Sequence, residues 1–332
     1  MNATIATSGQ PRRDARQPMN HDADAAMGAS PSPASGAALL AAPIAATLQR
    51  LRAVLPAQAD AAQAMLTGVL APLRDSCWPE VAWSFSRLTN TGLPVEFAWT
   101  SREAAVRWTA EVAAPEVDEN ERLAIAAQAL DWQGDLASWF EHQRGNRLKF
   151  GAWVSARHGD GLATKLYVDL PDGRLPPAWR KRQALFDSAL MFWRMCGVNP
   201  DGSVECYARA SELDLAALRM LAQATVGDAG PMMRRVAQVV SADDLPRPSG
   251  ISLALSADGQ VRALTWFTFA KAIFRDDAQV AACMRGLGEG LSARVYEALA
   301  AGPADGRWRH GMIGVGADIA GNTWVQCGLR PT

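Results

Sequence analysis

The chain has 332 residues, 49% hydrophobic and 20% charged, with 33 Lys and Arg against 34 Asp and Glu for a formal charge of −1. That balance excludes a global attraction to nucleic acid or anionic lipid, so any anionic ligand must be caught by a local cluster of cations. Five scattered cysteines with no C-x-x-C pair argue against a disulfide framework and a zinc site, and fit a reducing, cytoplasmic compartment.

Residues 1–38 are rich in Ala, Ser, Pro, Asp and Gly and are expected to form a disordered tail, because they lack the apolar side chains that offset the entropy of ordering. A single folded domain is expected over 39–332. The first apolar run, Ala37 to Ala46, follows the tail and is interrupted by Pro43, which does not fit a signal peptide. No run is long and apolar enough for a membrane-spanning helix. Helical composition over 44–54 and 57–74, with Leu48, Leu51 and Leu55 at helical spacing, opens the domain.

From residue 95 the pattern changes to paired strands. Side chains alternate along a strand, so Val95–Thr100 sets Val95, Phe97 and Trp99 against Glu96, Ala98 and Thr100. Val106–Val112 sets Val106, Trp108 and Val112 against Arg107, Thr109 and Glu111. Leu148–Ala156 and Thr164–Leu170 place Lys149, Trp153, Lys165, Tyr167 and Asp169 on the face opposite Leu148, Phe150, Val154, Leu166 and Val168. Val204–Arg209 presents Glu205, Tyr207 and Arg209 together. Two further hairpins follow, Ile251–Leu255 with Val261–Phe269 and Gly311–Ala317 with Thr323–Leu329, turning at Asp258-Gly259 and Gly321-Asn322. Helices are expected near 119–141, 178–195, 212–226 and 277–300, the last capped by Asp276 or Asp277.

The recurring order of strand, strand, helix admits two architectures. A flat sheet would leave the polar face in water. A closed barrel with helices outside would collect Glu96, Arg107, Lys149, Lys165, Tyr167 and Arg209 in one lumen, and about ten strands without a Lys-rich edge favour closure. Taken singly, each of these has an ordinary reading: a charged strand residue is normally solvated or paired across the sheet. Trp99 and Trp108 read as core, His142 and His158 as surface, and the cysteines as apolar filler.

The run Trp83-Ser84-Phe85-Ser86-Arg87-Leu88-Thr89-Asn90-Thr91-Gly92-Leu93-Pro94-Val95-Glu96 resembles the opening signature of the dimethylallyltryptophan synthase family of aromatic prenyltransferases. In that family a Gly-x-Pro-x-Glu run leads into the first barrel strand, and a Val-Arg pair, here Val106-Arg107, opens the second. Lys165-Leu166-Tyr167 is similar to the family's Lys-x-Tyr strand, and Thr265 to Asp277 to a later hairpin, so the resemblance runs roughly over 75–330. It implies an α+β fold, an antiparallel ten-stranded closed barrel surrounded by helices (the ABBA barrel). It also implies prenyl transfer from an allylic diphosphate to tryptophan or another indole, with no cofactor or metal required. Consistent with that, Asp243-Asp244 and Asp276-Asp277 lack a second Asp at D-D-x-x-D spacing.

The resemblance gives Glu96 the acceptor N–H and makes Lys149, by its position before Lys165, the candidate base. A diphosphate leaving group without a metal needs clustered cations. Arg107, Lys165 and Arg209 have lumen parity, as does Arg262 if its strand starts at Val261, with Tyr167 and Tyr207 as further donors. The allyl cation needs a dry, electron-rich wall, for which Trp153, Trp266 and Trp324 are the candidates. The composition sharpens that last point, since 12 Trp stand against 3 Tyr in a family that shields its cation with tyrosines. Two alternatives stay open: a non-catalytic barrel binding a hydrophobic small molecule or partner protein, and a prenyltransferase with a phenolic acceptor. No nucleic-acid or membrane partner is expected.

Overall fold

The computed structural model describes residues 40–74, 84–89, 91–176, 179, 191–240, 244–303 and 305–332. The tail expected over 1–38, together with Trp83, Asn90, Cys77 and Asp243, lies outside the described residues.

Ten strands form the centre: β1 Val95–Thr100, β2 Val106–Ala110, β3 Ala152–His158, β4 Leu162–Asp169, β5 Met191–Val198, β6 Val204–Ala210, β7 Ser249–Leu255, β8 Val261–Phe269, β9 His310–Asp318 and β10 Thr323–Leu329. Each pairs antiparallel with its chain neighbours, and β10 pairs with β1 to close a barrel. Closure satisfies every strand edge internally. The flat sheet is thereby ruled out.

The helices are α1 Ala42–Arg52, α2 Pro56–Val69, α3 Ala71–Arg74, α4 Arg122–Ala129, α5 Ala137–Gln143, α6 Leu215–Val226, α7 Gly230–Val239, α8 Ala270–Ile273, α9 Asp277–Arg285 and α10 Gly290–Ala300. Pro43 does not interrupt a helix; it stands in the first turn of α1, as a proline without a donor can. Asp214 and Asp276 cap α6 and α9 by accepting from Ala217 N and Gln279 N. The helices expected over 119–141 and 277–300 are each two, broken where Asp131 takes a positive φ of 47° and across Gly286–Glu289.

The core lies between the barrel's outer face and these helices. α2 packs on β2 and β3, α4 on β3 and β4, α6 on β8, α7 on β9 and β10, and α10 on β1. Trp99, Trp108, Trp193 and Trp266 are the largest side chains fully buried there, each stabilising the fold by roughly 1.5–3 kcal/mol through area removed from water. Three of their indole N–H groups have partners, and that of Trp193 has none among the described residues. Trp99 donates to Ser292 O (2.9 Å), Trp108 to His158 Nε2 (3.1 Å) and Trp266 to Ser249 Oγ (3.0 Å). Thus His158 is a buried core residue, not the surface residue expected.

His310, the first residue of β9, is also buried outside the lumen, between Tyr296 Oη (2.8 Å) and Asp277 Oδ1 (2.7 Å). Burial would raise the Asp277 carboxyl, but bonds from the His310 ring and from the His310 and Arg309 amides hold it at about 2.

β5 corrects the helix expected over 178–195; residues 180–190 lie outside the described residues, and Met191–Val198 is a strand. A bulge falls between Trp193 and Met195. It puts Trp193 and Cys196, three positions apart, on the same buried face, which mimics helical periodicity in the sequence.

Candidate active site

Closure gathers one face of every strand into a lumen. From β1 to β4 that face carries Glu96, Arg107, Thr109, Trp153, Ser155, Arg157, Lys165 and Tyr167, as the register requires: Glu96 opposite Thr109, Thr109 opposite Ser155, Ser155 opposite Lys165, Trp153 opposite Tyr167. The remaining strands add Glu205, Tyr207, Ser252, Thr265, Phe267, Trp324 and Gln326, alternating with small residues such as Gly197, Gly250, Gly314 and Gly316.

The glycines are seats for their neighbours. A Cβ on Gly316 would stand 2.2 Å from the Trp324 ring, and one on Gly197 would stand 2.6 Å from Lys165 Cδ. The Lys165 chain therefore crosses β5 and reaches β6, where Nζ meets Glu205 Oε2 at 2.7 Å. Glu205 Oε1 also accepts from Ser252 Oγ at 2.7 Å. Burial alone would raise the Glu205 carboxyl, yet Lys165, Tyr207 and Ser252 hold it below the usual range. Burial likewise disfavours the charged amine of Lys165, and Glu205 reverses that. Tyr167, Tyr207 and Phe267 form an aromatic wall beside this pair, with ring centroids 5.8 and 6.2 Å apart in sequence.

A second charged group lies by the β1–β2 hairpin. Glu103, in the loop, bridges Arg107 and Arg157, accepting from Arg107 Nε at 2.9 Å and from Arg157 Nη1 at 3.0 Å.

Glu96 differs from both groups. Its carboxylate lies against the backbone of Gly328, where a Cβ would stand 2.6 Å from Oε1. It has no hydrogen-bond partner among the described residues, and desolvation raises its pKa to about 7. An unpaired, desolvated carboxylate aimed into a lumen is an acceptor waiting for a donor. Just past the end of β2, Glu111 is buried against Arg122 (2.6 Å), Ser86 Oγ (2.9 Å) and Trp153 Nε1 (3.3 Å). Those bonds fix the Trp153 ring, which stacks on Phe150 at 4.0 Å.

Of the residues singled out from sequence, Glu96, Arg107, Trp153, Lys165, Tyr167, Tyr207 and Trp324 stand on the lumen face. Arg209 shares their parity but is exposed at the rim, opposite Phe192 and Gly250. Lys149 does not join them. Gly151, at φ 71°, ends the run before β3 begins, so the alternation carried back from Trp153 fails. Lys149 is exposed, its Nζ 5.9 Å from the Phe192 ring.

Arg262 and Trp266 fall together. β8 points Ala263, Thr265 and Phe267 inward, so Trp266 packs outward opposite Ile251 and Val315, and Arg262 is exposed at the strand's start. Sequence reasoning missed Arg157, one residue past the strand expected over Leu148–Ala156; β3 continues to His158 and the loop is only Gly159–Gly161. It also missed Glu103, four residues before Arg107 on the loop between two strands. That spacing was the available signal.

Among the described residues no group of His, Cys, Asp or Glu could hold a metal ion, and no helix is long and apolar enough to cross a membrane. No family model and no curated protein matches the chain. Solved structures do. The chain is similar to 5-dimethylallyl tryptophan synthase from Streptomyces coelicolor in complex with DMASPP and Trp, at TM-score 0.69 and 15% identity over 86% of this chain and 93% of that one. It is similar to 6-dimethylallyltryptophan synthase from Micromonospora olivasterospora, also with DMASPP and Trp, at 0.66 and 17% over 87% and 96%. AnaPT from Neosartorya fischeri matches at 0.59 and 14% over 87% and 92%. The chain thus has the closed ten-stranded fold of the aromatic prenyltransferases, as the resemblance implied.

Proposed function

We propose that the lumen transfers a dimethylallyl group from its diphosphate to tryptophan or another indole without a metal. The observation that carries this reading is the content of one closed lumen: an unpaired carboxylate, Glu96, on one strand, a cluster of Arg107, Arg157 and Lys165 on others, and aromatic rings on the same face. The donor's C–O bond breaks, and the diphosphate takes the electron pair against Arg107 and Lys165. Tyr167, Tyr207, Phe267, Trp153 and Trp324 shield the allyl cation from water. Glu96, ionised, accepts the indole N–H and makes the ring carbon more nucleophilic as the C–C bond forms. With Lys149 exposed and off the strand alternation, the released diphosphate, formed beside the alkylated carbon, takes the ring proton.

The pairing of the lumen cations with Glu103 and Glu205 favours a second reading, a barrel that binds an uncharged aromatic molecule and no diphosphate. Equilibrium binding of dimethylallyl thiolodiphosphate in EDTA separates the two. The transferase reading expects saturable binding that tightens when tryptophan is present. Tryptophan binding with no affinity for the analogue supports the second.

A further inference from the structure

We propose that Glu103 is a displaceable counter-ion, holding between Arg107 and Arg157 the position that a phosphate oxygen of the donor takes, and that donor binding expels it. The inference rests on the reading of the lumen as an anion site, though not on the transfer step.

Arg107 and Arg157 are directly opposite each other on β2 and β3 and share the lumen face. Like charges in that position repel, so the pair requires an anion between them. Glu103 supplies it by using both carboxylate oxygens: Oε1 on Arg107, through Nε and Nη2, and Oε2 on Arg157 Nη1. A phosphate bridging two guanidinium groups makes the same contacts with more charge. The match is also incomplete in a telling way. Arg157 Nε is buried and has no partner among the described residues, a donor that one carboxylate leaves unused and a further phosphate oxygen can take.

The two carboxylates among these cations differ in freedom. Glu205 belongs to β6 and is pinned by Lys165 and Ser252 at 2.7 Å each, so it stays in place when an anion approaches Lys165. Glu103 belongs to the loop between β1 and β2, its side chain is 29% exposed, and among the described residues its ion pairs are with the two arginines. It can swing into water without breaking a ladder bond. In the empty barrel it lowers the net charge of the arginine pair from +2 to +1 and keeps the two side chains oriented. The donor then binds with less affinity than the bare pair offers, because it must first expel a charge-assisted contact.

Calorimetric titration with inorganic diphosphate tests this. Glu103→Gln is expected to bind at least about tenfold tighter than wild type, and adding Arg157→Met is expected to remove the gain. Wild-type binding with no tightening in Glu103→Gln overturns the counter-ion role and leaves the lumen reading standing; binding by neither protein overturns both. If Glu103→Gln fails to fold with its arginine pair bare, amide exchange of wild type decides. Exchange at Arg102–Ala105 is expected to rise when diphosphate saturates the protein, and unchanged or slower exchange overturns the proposal.

Discussion

Glu96→Gln is expected to cost the transfer reaction about 10²- to 10⁴-fold in kcat, the range for losing a positioned acid–base group, while making the protein more stable at pH 8. The two effects share one cause. The carboxyl titrates at 4.5 when solvated and at about 7 in the lumen because burial disfavours its charge. A folded pKa raised above the unfolded one means that the folded state binds more protons between those values, so stability falls as pH rises from 4.5 to 7 and stays reduced above. The shift bounds that penalty at about 3 kcal/mol, and water in the lumen brings it to on the order of 2 kcal/mol. Gln keeps the shape and carries no charge, so denaturant unfolding at pH 8 should show the gain and at pH 4 should not. Activity runs the other way. Accepting an N–H requires the ionised form, so the wild-type rate should climb through pH 7, and that limb should vanish in the variant. A variant as active as wild type, or one destabilised at pH 8, would remove Glu96 from the role given to it.

Arg122→Met should destabilise the fold by about 3–5 kcal/mol, the cost of leaving a buried charge without its partner. Glu111 and Arg122 are 3% and 8% exposed and 2.6 Å apart. Arg122 also donates to Val117 O at 2.9 Å, within the β2–β3 connection. Burial outweighs the bonds from Ser86, Arg122 and Trp153 and leaves the Glu111 carboxyl raised. Without the guanidinium it rises further, so the loss should shrink as pH falls and Glu111 protonates. Adding Glu111→Gln should restore most of the stability, because it removes the orphaned charge and keeps the bonds to Ser86 and Trp153. Urea unfolding of the four proteins in the cycle gives the coupling directly. A loss below about 1 kcal/mol would mean that the pair contributes no more than a surface salt bridge.

How much of this was legible before the structure depended on whether local pattern and tertiary constraint agreed. β1, β8 and β10 run between the expected residues because short runs of strand-forming residues are bounded there by clear breaks, Asp258-Gly259 before β8 and Gly321-Asn322 before β10. Lumen parity followed directly for Glu96, Arg107, Lys165, Tyr167 and Tyr207. It failed where the backbone departs from an ideal strand. One glycine at positive φ detaches Lys149 from β3, and one bulge hides β5 inside a helical pattern. In β8 both faces carry large side chains, so Trp266 and Phe267 could not be ranked from sequence; the register with Ile251 and Gly250 decides between them. Ion pairing was not readable at all. Lys165 meets Glu205 only because Gly197 on the strand between them leaves a path, a fact of three strands at once. The shortage of tyrosines is met the same way, with Phe267 and Trp153 completing a wall that Tyr167 and Tyr207 begin.

The most direct measurement is product formation by the full chain. Dimethylallyl diphosphate and L-tryptophan are incubated with it in excess EDTA, and the products are read by mass spectrometry. The account predicts tryptophan bearing one dimethylallyl unit, released diphosphate in equal amount, and loss of both with Glu96→Gln. Hydrolysis to a free prenyl alcohol alone, no turnover with any indole, or a product that forms only when a divalent metal is restored would contradict it.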